Sequence, residues 1–222
     1  MAKNVLTYNL AEPLNGATTA KVDIHAGDGN LTIDRHTSGE ELLANGTLQY
    51  FENQGLPTRT LDSSNGQAIL TLRGGGTRRP WFHLPWAPCN GATEWQIHLN
   101  PTVSTDIKAH NDGGNVKLNL AGMAVARVSA DTGGGNMDVV LPDNPANLSV
   151  TAKTGAGNAV VHIPNGVPAR IYATTGLGKA IVSPRFNKTD NNPYQSPDFD
   201  SAANKVEITA SSGAGNMSVN TM

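Results

Sequence analysis

A fifteen-residue pattern, Val128 to Pro142, recurs five more times along the chain and constrains the fold more than any other feature. Aligned on Asn136, the equivalent positions are Asn30, Asn115, Asn158, Lys179 and Asn216, each directly after a glycine. The marks from Asn115 to Lys179 are 21, 22 and 21 residues apart, and the step from Lys179 to Asn216 is 37. A fixed internal period is the signature of a repeat architecture. One coil therefore takes 21 or 22 residues, with an insertion before the final one.

Eight residues before the marks stand Val22, Ile107, Val128, Val150, Ile171 and Ile208; six before stand Ile24, Ala109, Ala130, Ala152, Ala173 and Ala210. Past the marks the alternation resumes, as in Leu31/Ile33, Met137/Val139 and Met217/Val219, with Thr32, Asp138 and Ser218 between. Apolar residues at every second position define a strand with one buried face. Each repeat thus predicts strand, glycine turn, strand. Such a pair buries its apolar face only when coils stack about 4.8 Å apart around a continuous core between two sheets.

The corner residues have their own chemistry. Glycine reaches positive φ and lets neighbouring backbones approach. Asn tolerates the left-handed region, and its amide can bond its own turn or the Asn of the next coil. Asn30, Asn115, Asn136, Asn158 and Asn216 are therefore assigned as structural turn residues, and Lys179 is expected to break the ladder and swing its corner outward. A phosphate loop is excluded, because Ala173 and Ala180 stand where a Walker-type loop needs Gly and Ser or Thr, and the glycines lead into strands. A calcium-binding nonapeptide is excluded by the period and by Asn136 in the place of a glycine. Asp28 and Asp138 are read as solvated.

Composition narrows the partners. The net charge is −2 and no Lys/Arg run exceeds Arg78-Arg79, which argues against nucleic acid. The start lacks the apolar core of a secretory signal, and nowhere do eighteen apolar residues run uninterrupted, so the chain reads as soluble, with envelope association left open. The single cysteine, Cys89, rules out an internal disulfide.

Taken in order, residues 1–100 form an N-terminal β region and residues 101–222 the coils, with an insertion at 184–203. The first region holds a strand at 5–10, the first repeat copy at 20–34, a strand at 42–51 and a hairpin at 58–72. Antiparallel strands here are expected to cap one end of the stack. The stretch 73–93 carries Arg78, Arg79, Trp81, Phe82 and Trp86, the composition of an interface anchor or sugar platform; the competing reading is a plug for the end of the stack. Trp95 to Leu99 alternates cleanly, with His98 outward. The insertion holds Phe186, Tyr194 and Phe199, and serves either as a binding loop or as a lid. The last coil, ending at Met222, is expected to leave an open edge for a partner or a second copy.

Catalytic chemistry is not found. The histidines at 25, 36, 83, 98, 110 and 162 show no metal-ligand spacing along the chain, and there is no Gly-x-Ser-x-Gly elbow. A Cys89–His83 or Cys89–His98 dyad lacks a third member. No catalytic residue, metal or cofactor is expected.

The segment Ala20 to Asp34, the strand Trp95 to Pro101, and serial Gly-x-Gly corners closing on Ile163 to Val167 together resemble the bacterial toast-rack domain. Related repeats occur in adhesin-like proteins and in the C-terminal part of cell-envelope stress regulators. The resemblance implies a β-helical binding domain and brings no catalytic residues; Lys179 and the insertion after Ser183 depart from it. The sequence thus reads as an all-β, single-stranded, right-handed parallel β-helix with an antiparallel N-terminal cap. Its expected role is a non-enzymatic, adhesin-like binding or scaffold module of the cell envelope. Candidate binding residues are Arg78, Arg79, Trp81, Trp86, Phe186, Tyr194 and Phe199, and the partner is a protein or surface polysaccharide, with homo-oligomerisation through the stack's end. The alternative is a regulatory protein-interaction domain of an envelope-stress pathway. A carbohydrate-active enzyme is the remote third, and would need two carboxylates within about 10 Å on one sheet face.

Overall fold

The structure, a computed structural model, describes residues 4–37, 41–75, 93–190 and 193–222. Among these there is no α-helix. The N-terminal strands are β1 (Val5–Pro13), β2 (Thr19–His25), β3 (Gly29–Arg35), β4 (Leu42–Phe51), β5 (Thr58–Ser64), β6 (Gln67–Arg73) and β7 (Thr93–Leu99). The regular repeats supply β8 (Ser104–Asn111), β9 (Val116–Asn119), β10 (Val125–Gly134), β11 (Met137–Val140), β12 (Leu148–Ala156), β13 (Ala159–Ile163), β14 (Ala169–Leu177) and β15 (Ala180–Val182). The insertion adds β16 (Asn187–Lys188) and β17 (Tyr194–Gln195), and the chain ends on β18 (Val206–Ala214) and β19 (Met217–Thr221).

These strands form two mixed sheets, ordered β1-β4-β7-β3-β9-β11-β13-β19-β15 and β16-β17-β14-β18-β12-β10-β8-β2-β6-β5, neither closed into a barrel. Within each repeat the first strand lies in the second sheet and the strand after the corner in the first. Such a pair is called a rung here. Rungs pair in parallel with their neighbours, with Val128 opposite Ile107 and Val150, and Met137 opposite Val116 and Ala159. The inward residues of both sheets, including Val22, Ile107, Val128, Val150, Leu118 and Val139, meet in one buried core. The predicted antiparallel strands occur at the N-terminal end: β5 pairs with β6 across an Asn65-Gly66 turn, and β1 pairs with β4, which pairs with β7.

The order of rungs in space is not their order in sequence. The first copy, β2/β3, lies between β6/β7 and β8/β9, so Asn30 neighbours Asn115 despite the 85 residues between them. At the other end the final rung, β18/β19, lies between β12/β13 and β14/β15. This corrects the expected open edge at the last coil. Val219 is fully buried and its strand is paired on both sides, while β15 forms the edge.

The corner ladder follows this spatial order. The side-chain oxygen of each Asn accepts the backbone N–H of the next mark: Asn30 from Asn115, Asn115 from Asn136, Asn136 from Asn158, Asn158 from Asn216, and Asn216 from Lys179, at 2.9–3.1 Å. Lys179 therefore does not break the ladder. It ends it, on the outermost rung, where the corner must donate but has no further N–H to accept. Replacing Asn136 with Ala strands the Asn158 N–H and is expected to cost about 0.5–1.5 kcal/mol. Lys179→Ala should be neutral, and urea unfolding of the two variants checks the difference.

A second ladder lies just inside the corner. Thr132, Thr154, Ser212 and Thr175 donate their hydroxyls to the carbonyls of Gly114, Gly135, Gly157 and Gly215, each on the adjacent rung, at 2.8–3.0 Å. Asn111 does the same to Gly29 through its amide at 2.7 Å. A small polar side chain four residues before the mark satisfies a corner carbonyl that the sheet ladder does not reach.

Candidate functional site

Parallel pairing aligns one outward-facing column across the second sheet, five residues before each mark. Arg73 lies opposite His25, His25 opposite His110, His110 opposite Asp131, and Asp131 opposite Lys153. Stacked strands hold such side chains within reach of one another without any local sequence motif. A linear search for His-x-x-x-His spacing could not find them. The signal was available in the repeat alignment, where His25 and His110 occupy the same position in two copies.

Asp112, just past β8, completes the group. Its Oδ1 lies 3.3 Å from His25 Nε2 and 3.1 Å from His110 Nε2. The imidazoles of His25 and His110 meet edge to face, with centroids 4.4 Å apart. His110 Nδ1 is hydrogen-bonded to the Asp131 carboxylate. Partial burial works against a charged His110, but the hydrogen bonds to Asp131 and Asp112 outweigh it and raise its pKa above the ordinary imidazole value. Asp112 is likewise disfavoured as an anion by partial burial, yet the hydrogen bonds from His110 and His25 hold its pKa below the usual carboxylate value. Among the described residues, His25, His110 and Asp112 are the group whose donor atoms lie together closely enough, all within 4.8 Å, to share one ion.

His25 and Asp112 form one side of a cleft of about 490 Å³, whose other walls include Gln49, Tyr50, Arg73 and Gly75. Beside it, Asp23 lies 3.8 Å from Arg73 and 3.7 Å from Lys108. The cleft sits where the antiparallel N-terminal strands meet the rungs. Its lining combines a guanidinium, one imidazole, the two carboxylates of Asp28 and Asp112, and amide groups, and offers charged and hydrogen-bonding partners to a polar ligand.

The sequence-based candidates fall in three places. Arg78, Arg79, Trp81 and Trp86 lie outside the described residues, as do His83 and Cys89, although the residues flanking that segment, Gly75 and Thr93, both line the cleft. Phe186 and Phe199 are buried, at 4% and 2% exposure, and Tyr194 is half-buried. Tyr194 and Gln195 pair antiparallel with Ile171 and Arg170, so the insertion folds back and covers the edge of β14. Arg170 stacks over Phe199 at 4.3 Å and bonds Gln195 and Asp200. His98 faces away from the core, as its strand alternation predicts, and bonds Asp34. Asp138 has a partner rather than solvent alone: His162 is 3.7 Å away.

No helix among the described residues is long and apolar enough to cross a membrane. The family model for the N-terminal domain of toast_rack, DUF2154, matches residues 2–162. A solved structure of a provisionally named cell adhesion protein from Clostridium sporogenes is similar over 99% of this chain and 100% of its own, with 24% identity and a TM-score of 0.88. That likeness shows a common fold. A provisionally named adhesin from Bacteroides fragilis aligns over 99% of this chain and 98% of its own, at 10% identity and a TM-score of 0.35. No curated protein matches the chain.

Proposed function

Because the chain belongs to the family of the N-terminal toast-rack domain, we propose that it is a non-enzymatic, adhesin-like binding module of the bacterial cell envelope, recognising a protein or a surface polysaccharide. We read its rungs as coils of a right-handed parallel β-helix, whose rigid faces present a binding site rather than move around one. The observation that carries this reading is the polar cleft at the junction of rungs and N-terminal strands, lined by His25, Tyr50, Arg73 and Asp112. Gly75 and Thr93, the described residues that flank the stretch carrying Arg78, Arg79, Trp81 and Trp86, both line that cleft. Tyr194 on the insertion is a second contact candidate.

The same geometry weighs against glycoside chemistry. Asp112 and Asp131 share one face, but both are bonded to His110, and Asp112 is held below the usual carboxylate range. A general acid needs a carboxyl raised above that range.

The purified chain, offered to separated wall, membrane and cytosolic fractions, is expected to retain a wall or surface component. Trp81→Ala with Trp86→Ala should lower that retention at least about tenfold, the loss of one or two interface anchors, with the unfolding midpoint unchanged. Equal retention by the double variant would remove these residues from the site.

A regulatory docking domain is favoured by a different observation. The outermost rung exposes Leu177 and Ile181, at 75% and 55%, beside the edge of β15, which pairs with no further strand among the described residues. Under that reading a membrane signalling protein or a second copy docks there, and Leu177→Lys with Ile181→Lys abolishes its capture. Under the adhesin-like reading the same variant binds normally.

A further inference from the structure

We propose that His25, His110 and Asp112 form a binding site for one divalent transition-metal ion, with zinc the best match, and that Asp131 is its positioning residue. The spacing of the donor atoms is the first argument. Zinc bonds of about 2.0–2.1 Å place tetrahedral donors about 3.3 Å apart. Asp112 Oδ1 already lies 3.3 Å from His25 Nε2 and 3.1 Å from His110 Nε2, and all three atoms fall within 4.8 Å. Only the distance between the two nitrogens has to shorten, by rotation of side chains on the open face of the sheet.

The donor types are the second argument. Two imidazoles and one carboxylate suit zinc, nickel or copper, and supply too few oxygens for calcium or magnesium. The third is the surrounding shell. A metal-binding histidine characteristically gives its other ring nitrogen to a carboxylate, which fixes the ring and the tautomer. Asp131 does this for His110, accepting from Nδ1 and leaving Nε2 turned towards Asp112 and His25.

The backbone supplies the rigidity that such a site requires. His25 and His110 are register partners on β2 and β8, and Asp131 is the partner of His110 on β10. The Asp112 N–H is tied to the Gly27 carbonyl at 2.8 Å, which fixes the corner that carries the carboxylate. Three protein ligands leave one coordination position. It opens towards the cleft that His25 and Asp112 line, where a water or an oxygen of a bound molecule completes the tetrahedron. The ion also clamps the first repeat copy onto the rung 85 residues later in the chain.

Titration calorimetry of the metal-free chain with zinc chloride is expected to show one ion per chain bound in the micromolar range or tighter, and cobalt substitution to give the intense visible band of a tetrahedral site. His25→Ala and His110→Asn should each weaken zinc at least about 100-fold, while His98→Ala, on the other sheet, leaves it unchanged. Asp131→Asn should weaken it about 10–100-fold and shift the cobalt band, which general destabilisation would not do. Circular dichroism of each variant without metal separates loss of the site from loss of the fold, and the two histidines, on different strands, are independent tests. The assignment is overturned if zinc shows no saturable binding, if binding survives in both histidine variants, or if calcium binds at this site more tightly than zinc.

Discussion

Gly135→Ala should unfold the protein at a much lower urea concentration than the wild type, with a loss of at least about 3 kcal/mol. Gly135 has φ +129°, and a Cβ added there would stand 2.2 Å from the Gly114 carbonyl oxygen and 2.4 Å from its carbon. The conformation alone costs about 1–3 kcal/mol for a residue with a side chain. The clash adds to it, and the atoms it meets are backbone, so no rotamer change relieves it. Relief requires the two rungs to separate at the corner. That stretches the Asn136 N–H bond to Asn115 and the Thr132 hydroxyl bond to Gly114. Against a typical total stability of about 5–15 kcal/mol, this is a large fraction. Gly134→Ala, one residue earlier, is the control: an added Cβ there has nothing within 4 Å, and its φ is not positive. Near-neutral behaviour at 134 with collapse at 135 locates the effect at the stacked corner. Equal midpoints for the two variants would mean that the rungs can part at no cost.

The same corner shows why much of the fold was readable in the sequence. Alternation around each mark sets which residues face the core, and a one-residue slip would turn Val128 and Ala130 outward, so the register is strongly specified. Six glycine-preceded marks, five of them Asn, pointed to the strands, the turns and the Asn ladder. Rung order was not legible for the same reason, since every rung offers its neighbours nearly the same apolar columns and the same glycine and amide corner. The trace of the true order was Lys179, the one mark without a side-chain acceptor, which belongs on the outermost rung. The rung β6/β7 left no mark at all, because Glu94 stands opposite Asn30 where the others have Asn or, on the outermost rung, Lys179. The site escaped for a related reason. His25, His110 and Asp131 are scattered in sequence and join only once the copies are laid side by side.

The inserted final rung leads to the second large effect. A chain ending after Asn204 lacks β18 and β19, and with them the fully buried Val206, Ile208, Ala210, Met217 and Val219. At about 1.5–3 kcal/mol for each of the larger side chains, the loss is on the order of the whole stability of a domain. Removing a rung from the end of a stack would only shorten it, because each repeat touches its neighbours alone. Here the missing rung is the neighbour of both β12/β13 and β14/β15, so both are left with bare apolar faces and unpaired edges. The truncated chain is therefore expected to lose cooperative unfolding and to aggregate, as exposed edges promote. A separate peptide spanning 205–222 should restore folding by filling the gap, since its contacts are almost entirely with strands of the remaining chain. Shape and pairing would then be supplied in trans, as in strand-addition complexes. One outcome would contradict this topology: a truncated chain that unfolds cooperatively near the wild-type midpoint and ignores the peptide. That result would mean β14/β15 had docked directly onto β12/β13, the order implied by the 21-residue spacing of Asn158 and Lys179. Corner chemistry alone does not choose between those two arrangements, because one Asn acceptor at 158 suits the N–H of any following mark; in the structure it takes that of Asn216. What favours the inserted order is the additional rung of buried side chains, together with the insertion, whose Tyr194 and Gln195 cover the edge of β14 once it has been pushed outward.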